Sequence, residues 1–147
     1  MTDFDTVSAI VCDDIRYETN GKQILIGVYS GDIVIGMPEG MPVVISSSLW
    51  IELRVKEKGE YLLDFKIEVS SKPVFGMNGI KVLIQQVGDI ALPIGPFPIS
   101  VNGSGEIKYF LRLSGRKWRM IRSKRIILGP TSSPFNSPFP TALPPQP

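Results

Sequence analysis

"SLWIELRVKEKGEYLLDFKIEV", residues 48–69, decides the fold class. Leu49, Ile51, Leu53 and Val55 alternate with Glu52, Arg54 and Lys56, and Tyr61, Leu63, Phe65, Ile67 and Val69 alternate with Asp64, Lys66 and Glu68. A period of two puts each apolar set on one face of a strand and each charged set on the other. The "EKGE" between the two runs predicts a tight hairpin, with Gly59 supplying backbone freedom.

Working outward, "GEIKYFLRLSG" repeats the alternation with Ile107, Tyr109, Leu111 and Leu113 inward. "GIKVLIQQVG" is more apolar and is expected nearer the centre of a sheet. "KWRMIRSKRIIL" is the last strand, with a bulge expected near Ser123, where the alternation changes phase. Turn chemistry separates these runs at Asn20-Gly21, "GMPEGMP", "KPVFGMNG", "LPIGPFP" and "VNGSG". Roughly seven short antiparallel strands, half of them amphipathic, predict an all-β, two-sheet antiparallel β-sandwich, immunoglobulin-like or C2-like in architecture; a small β-barrel is the alternative. The sandwich domain is expected over residues 1–128. Residues 129–147 hold 7 of the 13 prolines and no charge, which predicts an extended tail outside the sheets.

Composition narrows the chemistry. The chain has no histidine, the usual general base near neutral pH and the commonest metal ligand. Triads built on histidine and the usual zinc sites are therefore excluded, and the expectation is a protein that is not an enzyme and carries no cofactor. A single cysteine, Cys12, forms no internal disulfide and is expected as a small buried hydrophobe. No apolar run approaches the length of a spanning helix and no basic-then-apolar leader opens the chain, so a soluble, cytoplasmic protein with no membrane partner is expected, or a virion protein if phage-encoded. Charge is unevenly spread. Up to Glu106 there are 14 acidic and 8 basic residues; from Ile107 onward there are 8 basic and no acidic ones.

Three segments are candidate sites. In "VCDDIRYETNGKQILIGVY", a two-residue turn at Asn20-Gly21 would pair Thr19 with Lys22 and Tyr17 with Ile24. That register puts Val11, Ile15, Tyr17, Ile24, Ile26 and Val28 on a core face, and Asp14, Arg16 and Glu18 on a solvent face as an ion-pair row. Asp13 is left over, a buried carboxylate opposite Val28. It either ties down loop backbone or a bulge at Cys12-Asp13, or joins Asp14, Asp3 or Asp5 in an oxygen-ligand ion site. The second segment is the basic run carrying Arg116, Lys117, Arg119, Arg122, Lys124 and Arg125 around Trp118. It reads as a charge-guarded edge, as a contact for a protein partner or another copy, or as a nucleic-acid surface. The third is the tail repeat Ser133-Pro134-Phe135 and Ser137-Pro138-Phe139, in which Phe135 and Phe139 would anchor a docking arm.

The stretches "VCDDIRYETNGKQILIGVYSGDIVI", "LWIELRV", "LPIGPFPISVNGSGEIKYFLRL" and "GRKWRMI" resemble a family of small uncharacterised bacterial proteins. The hallmark of that family is an N-terminal C-[DE]-D-[IV]-R-x-E…G-K…L-I-G-V-Y hairpin. The resemblance covers roughly residues 7–122 and implies a β-sandwich; it implies no activity and no catalytic residues. The expected function is a non-enzymatic interaction module, an accessory or structural component of a larger bacterial or phage assembly. It would contact a protein partner or its own copies through the basic last strand and the Pro/Phe tail. A ligand- or ion-binding regulatory domain, using the loops around Asp13, "GMPEGMP" and "KPVFGMNG", and a nucleic-acid-binding module are the alternatives.

Overall fold

The structure, a computed structural model, describes residues 4–37 and 40–129. Phe135 and Phe139 of the expected docking arm, and Asp3 of the expected ion site, lie outside the described residues. The described residues run through ten strands: β1 (Phe4–Cys12), β2 (Asp14–Tyr17), β3 (Gln23–Ile26), β4 (Ile33–Ile35), β5 (Val43–Val55), β6 (Gly59–Val69), β7 (Lys72–Ile84), β8 (Gly88–Val101), β9 (Gly105–Leu113) and β10 (Arg119–Leu128). They form a three-stranded sheet in the order β1-β5-β8, a five-stranded sheet in the order β4-β10-β9-β6-β7, and a separate β2-β3 ribbon. The fold is an all-β sandwich, and the sheets do not close into a barrel. Among the described residues no helix is long and apolar enough to cross a membrane.

The alternation seen in sequence builds the core. Leu49, Ile51, Leu53 and Val55 of the smaller sheet and Tyr61, Leu63, Phe65, Ile67, Ile107, Tyr109, Leu111 and Leu113 of the larger one are all buried. Phe65 and Phe97 bring their ring centroids within 5.8 Å across the core. Two amphipathic sheets bury their apolar faces only against each other, and this requirement fixes the layering.

Several local expectations are corrected. "EKGE" is not a hairpin: β5 pairs with β1 and β8, whereas β6 pairs with β7 and β9, so residues 56–58 carry the chain from one sheet to the other. A period of two is the same for strands lying side by side and strands facing across a core, so the pattern cannot separate the two cases. "KPVFGMNG" is not a turn but part of β7; the turn before it is Ser70-Ser71, both with positive φ (48° and 65°). Two such residues give the mirror-image turn that suits the twist of a hairpin, here supplied by serines where glycine or asparagine is usual. "LPIGPFP" likewise lies within β8, whose place at a sheet edge tolerates proline. "GIKVLI" is an edge rather than a central segment. The irregularity in β10 falls between Met120 and Arg122 rather than at Ser123. One pair is parallel, with Ile126, Ile127 and Leu128 of β10 beside Ile33, Val34 and Ile35 of β4.

The opening hairpin is shifted by one residue from the expected register. Tyr17 pairs with Gln23, Arg16 with Ile24, Ile15 with Leu25 and Asp14 with Ile26. The Gly21 amide donates to the Glu18 carbonyl at 3.0 Å, and the Glu18 amide donates to the Lys22 carbonyl at 2.9 Å. This is a three-residue loop, a type I turn closed by a glycine bulge, so only Gly21 (φ 82°) needs a positive φ and Asn20 does not. Asn20 instead accepts the Lys22 amide on Oδ1 at 3.0 Å. The slip of one residue sets Ile24 beside Arg16, off the face that Ile15 and Tyr17 share, and leaves it 45% exposed; Ile15 stays buried, while Tyr17, at the turn end of its strand, is 64% exposed.

Candidate functional site

The break between β1 and β2 places Asp13. Its amide donates to the Ile26 carbonyl at 2.9 Å and the Gly27 carbonyl at 3.3 Å, so it does not sit opposite Val28 in a ladder. Its carbonyl accepts Ser46 Oγ at 3.0 Å and Ser48 Oγ at 3.2 Å from β5, and its carboxylate Oδ1 accepts the Tyr29 hydroxyl at 2.5 Å. Gly27 makes room for this: a Cβ there would stand 2.0 Å from Asp13 Oδ2, and its φ of 65° also favours glycine. The residue is half-buried rather than fully buried, and its amide, its carbonyl and Oδ1 each have a partner. It ties the hairpin to the smaller sheet.

The groups beneath Asp13 are also paired. Ser47 Oγ and the Tyr109 hydroxyl lie 2.7 Å apart in the core. Burial, with Asp13 and Asp14 adding repulsion, pushes the Cys12 thiol up to about 11, and burial pushes Tyr109 up to about 12. Tyr29 is raised as well, by burial and by its bond to Asp13. A nucleophile or acid–base group is normally tuned toward neutral pH; these three are moved away from it. Of the other acids weighed with Asp13, Asp14 accepts Arg16 at 3.3 Å and Asp5 accepts Lys56 at 3.1 Å. Among the described residues no three acidic or cysteine side chains group in a way that could hold a metal ion.

The basic run divides into spent and unspent cations. Arg119 donates to the Phe4 carbonyl at 2.6 Å and lies over the Phe4 ring. Lys124 is buried and donates to the Gly31 carbonyl at 2.9 Å; burial lowers its pKa. Arg125 grips Asp32 with two bonds, at 2.6 and 3.2 Å. Trp118 is half-buried, with the Arg112 guanidinium 4.2 Å and the Lys66 ammonium 5.0 Å from its ring centroid. Arg116, Lys117 and Arg122 are exposed, and no side-chain partner holds their charge among the described residues. β10 is an open edge only over residues 119–125, because β4 covers its last three residues.

Sequence reasoning missed a third cluster. Asp64 sits on the outward face of β6, where alternation predicts solvent, yet it is 4% exposed. Its carboxylate accepts Ser114 Oγ at 2.7 Å, Arg112 Nε at 2.8 Å and the Gly79 amide at 3.0 Å, a set that holds its pKa below the usual carboxylate range. The partners come from β9, the β9–β10 turn and the bulge in β7, so only the strand order brings them together. Tyr29, the partner of Asp13, was missed for the same reason.

No model of a known protein family matches the chain, and no curated protein matches it.

Proposed function

We propose that the chain is a non-enzymatic interaction module on an immunoglobulin-like or C2-like sandwich. It serves as an accessory or structural component of a larger bacterial or phage assembly, in the cytoplasm or in a virion. The observation that carries this reading is where the unspent cations lie. Arg116 and Lys117 occupy the turn before β10 and Arg122 its first half, whereas the Pro/Phe segment begins beyond its last residue. A ten-residue strand spans about 33 Å, so the basic turn and the point from which the chain leads into the Pro/Phe segment lie at opposite ends of one strand. That arrangement suits a component that bridges two neighbours. The paired state of Asp13, Tyr29, Ser47 and Tyr109 supports the same reading, since each is committed to holding the fold.

Capture from the native host tests this. Full-length protein is expected to retain a partner after nuclease treatment, and the triple variant Arg116→Glu/Lys117→Glu/Arg122→Glu is expected to lose it. Capture abolished by nuclease would move the assignment to nucleic acid, where retention falls steeply with salt.

A further inference from the structure

The two facing sheets have four edges, and most of their length is blocked against pairing with another strand. β4 offers only three residues, and the stretch of β10 that it leaves uncovered, residues 119–125, is guarded by Arg119, Arg122, Lys124 and Arg125 and broken by the irregularity between Met120 and Arg122. β1 has a bulge between Thr6 and Ser8, and its Phe4 and Val11 carbonyls are taken by Arg119 and by the Tyr29 amide. β8 carries Pro93, Pro96 and Pro98, which cannot donate to an added strand. The first half of β7 holds Pro73 and ends at an irregularity between Met77 and Ile80, and its Phe75 stacks on Phe97 of β8 at 4.0 Å. What remains is the five residues Ile80, Lys81, Val82, Leu83 and Ile84, with no proline and no bulge among them. One side of this segment pairs with β6, from Leu63 opposite Ile80 to Gly59 opposite Ile84; the other side has no ladder partner among the described residues. Leu83 is 64% exposed, and Val87 just beyond it is 57% exposed. Ile80 and Val82 of β7, with Ile90 and Leu92 of β8, pack on the core only partly buried.

A bare, apolar edge of this kind is a template for strand addition. We propose that residues 80–84 pair antiparallel with the same residues of a second copy, joining the two five-stranded sheets across a two-fold axis near Val82 and Leu83. Three observations select a second copy as the occupant. The chain's own tail is excluded because its prolines leave no run longer than three residues with every amide present. The segment is also compatible with itself in charge. Its one charged side chain, Lys81, is neutralised by Glu60 at 2.9 Å, and an axis near Val82 and Leu83 keeps the two copies of Lys81 from facing each other. Finally, the opposite end of the same sheet is the three-residue β4 beside the charged, irregular first half of β10, so pairing through β7 closes at two copies rather than propagating. The inference concerns a different strand from the basic turn and the tail and does not rest on the assembly reading.

Sedimentation equilibrium of the full chain between about 1 and about 300 μM tests it. The expected result is a monomer–dimer equilibrium that Leu83→Lys weakens by about tenfold or more at an unchanged melting temperature. The full-length variant Phe135→Ser/Phe139→Ser is expected to dimerise as the parent does. Amide exchange on the parent protein needs no variant: the amides among residues 80–84 that face away from β6 should exchange more slowly at high concentration than at low. A monomer throughout that range, a dimer indifferent to Leu83→Lys, a dimer lost only in the tail variant, or exchange at the edge-facing amides of residues 80–84 independent of concentration would each overturn the proposal.

Discussion

Asp64 and Arg112 on one side, and Arg116, Lys117 and Arg122 on the other, belong to three successive strands of one sheet, β6, β9 and β10, and the β9–β10 turn, yet they end in opposite situations. Asp64 is enclosed, with Ser114, Arg112 and the Gly79 amide on its carboxylate. The three cations of the β9–β10 turn and the first half of β10 point to solvent. Alternation predicts solvent for Asp64 just as it does for Arg122. The difference is made by the neighbours that β7, β9 and the following turn supply. A charge with its partners inside the fold contributes stability, and a charge without them is free to meet another molecule. The same division runs through the basic stretch itself, where Arg119, Lys124 and Arg125 are spent and Arg116, Lys117 and Arg122 are not.

The division is broken most visibly if an enclosed charge proves dispensable. Asp64→Ala strands Arg112 and removes the acceptor for Ser114 and Gly79, an expected loss of about 3 kcal/mol in denaturant unfolding. Since the Asp64 pKa is depressed in the fold, its contribution is present above the ordinary carboxylate range and is lost as pH falls through the folded value. The parent should therefore lose stability in acid more steeply than the variant does. A loss below about 0.5 kcal/mol would place Asp64 with the unspent group.

Alkaline pH sharpens the comparison from the other side. Cys12 and Tyr109 have ordinary values of 9.0 and 10.0, raised in the fold to about 11 and about 12. Groups whose folded pKa is raised stabilise fully below their unfolded value, and that stabilisation disappears as pH rises through the folded one. The melting temperature is expected to fall between pH 9.0 and about 12, with Cys12 unreactive to alkylating reagent at neutral pH until the protein unfolds. Full labelling of the native protein within minutes would show that the core around Cys12 opens.

A smaller effect separates two residues of the opening turn. Gly21→Ala should cost about 1 kcal/mol because Gly21 alone needs a positive φ, whereas Asn20→Ala loses only the bond to the Lys22 amide and should cost about half as much. Equal and large losses would favour a two-residue turn with both residues at positive φ.

Much of the fold was legible in sequence because burial itself has a period. Leu49 to Val55, Tyr61 to Ile67 and Ile107 to Leu113 point inward as their alternation predicts. Strand partnership was not legible, since a repeat of two residues carries no information about which strand lies alongside and which lies across the core. That is why "EKGE" read as a hairpin and why the enclosure of Asp64 went unseen. Register was half legible: Asn20-Gly21 marked the turn, but the choice between two and three loop residues depends on backbone geometry that several sequences satisfy. For Asp13, alternation showed a charge in the wrong phase without showing Tyr29, sixteen residues further on, as its partner.

The smallest stability effect belongs to the variant that matters most for function. Arg116→Glu/Lys117→Glu/Arg122→Glu removes charges that hold nothing inside the fold, so its unfolding free energy should stay within about 0.5 kcal/mol of the parent. The most direct measurement is side-by-side capture of partners by parent and variant from nuclease-treated lysate of the native host, at matched melting temperature. The interaction reading predicts a partner retained by the parent and lost from the variant. The same partner recovered in equal yield with both proteins would contradict it.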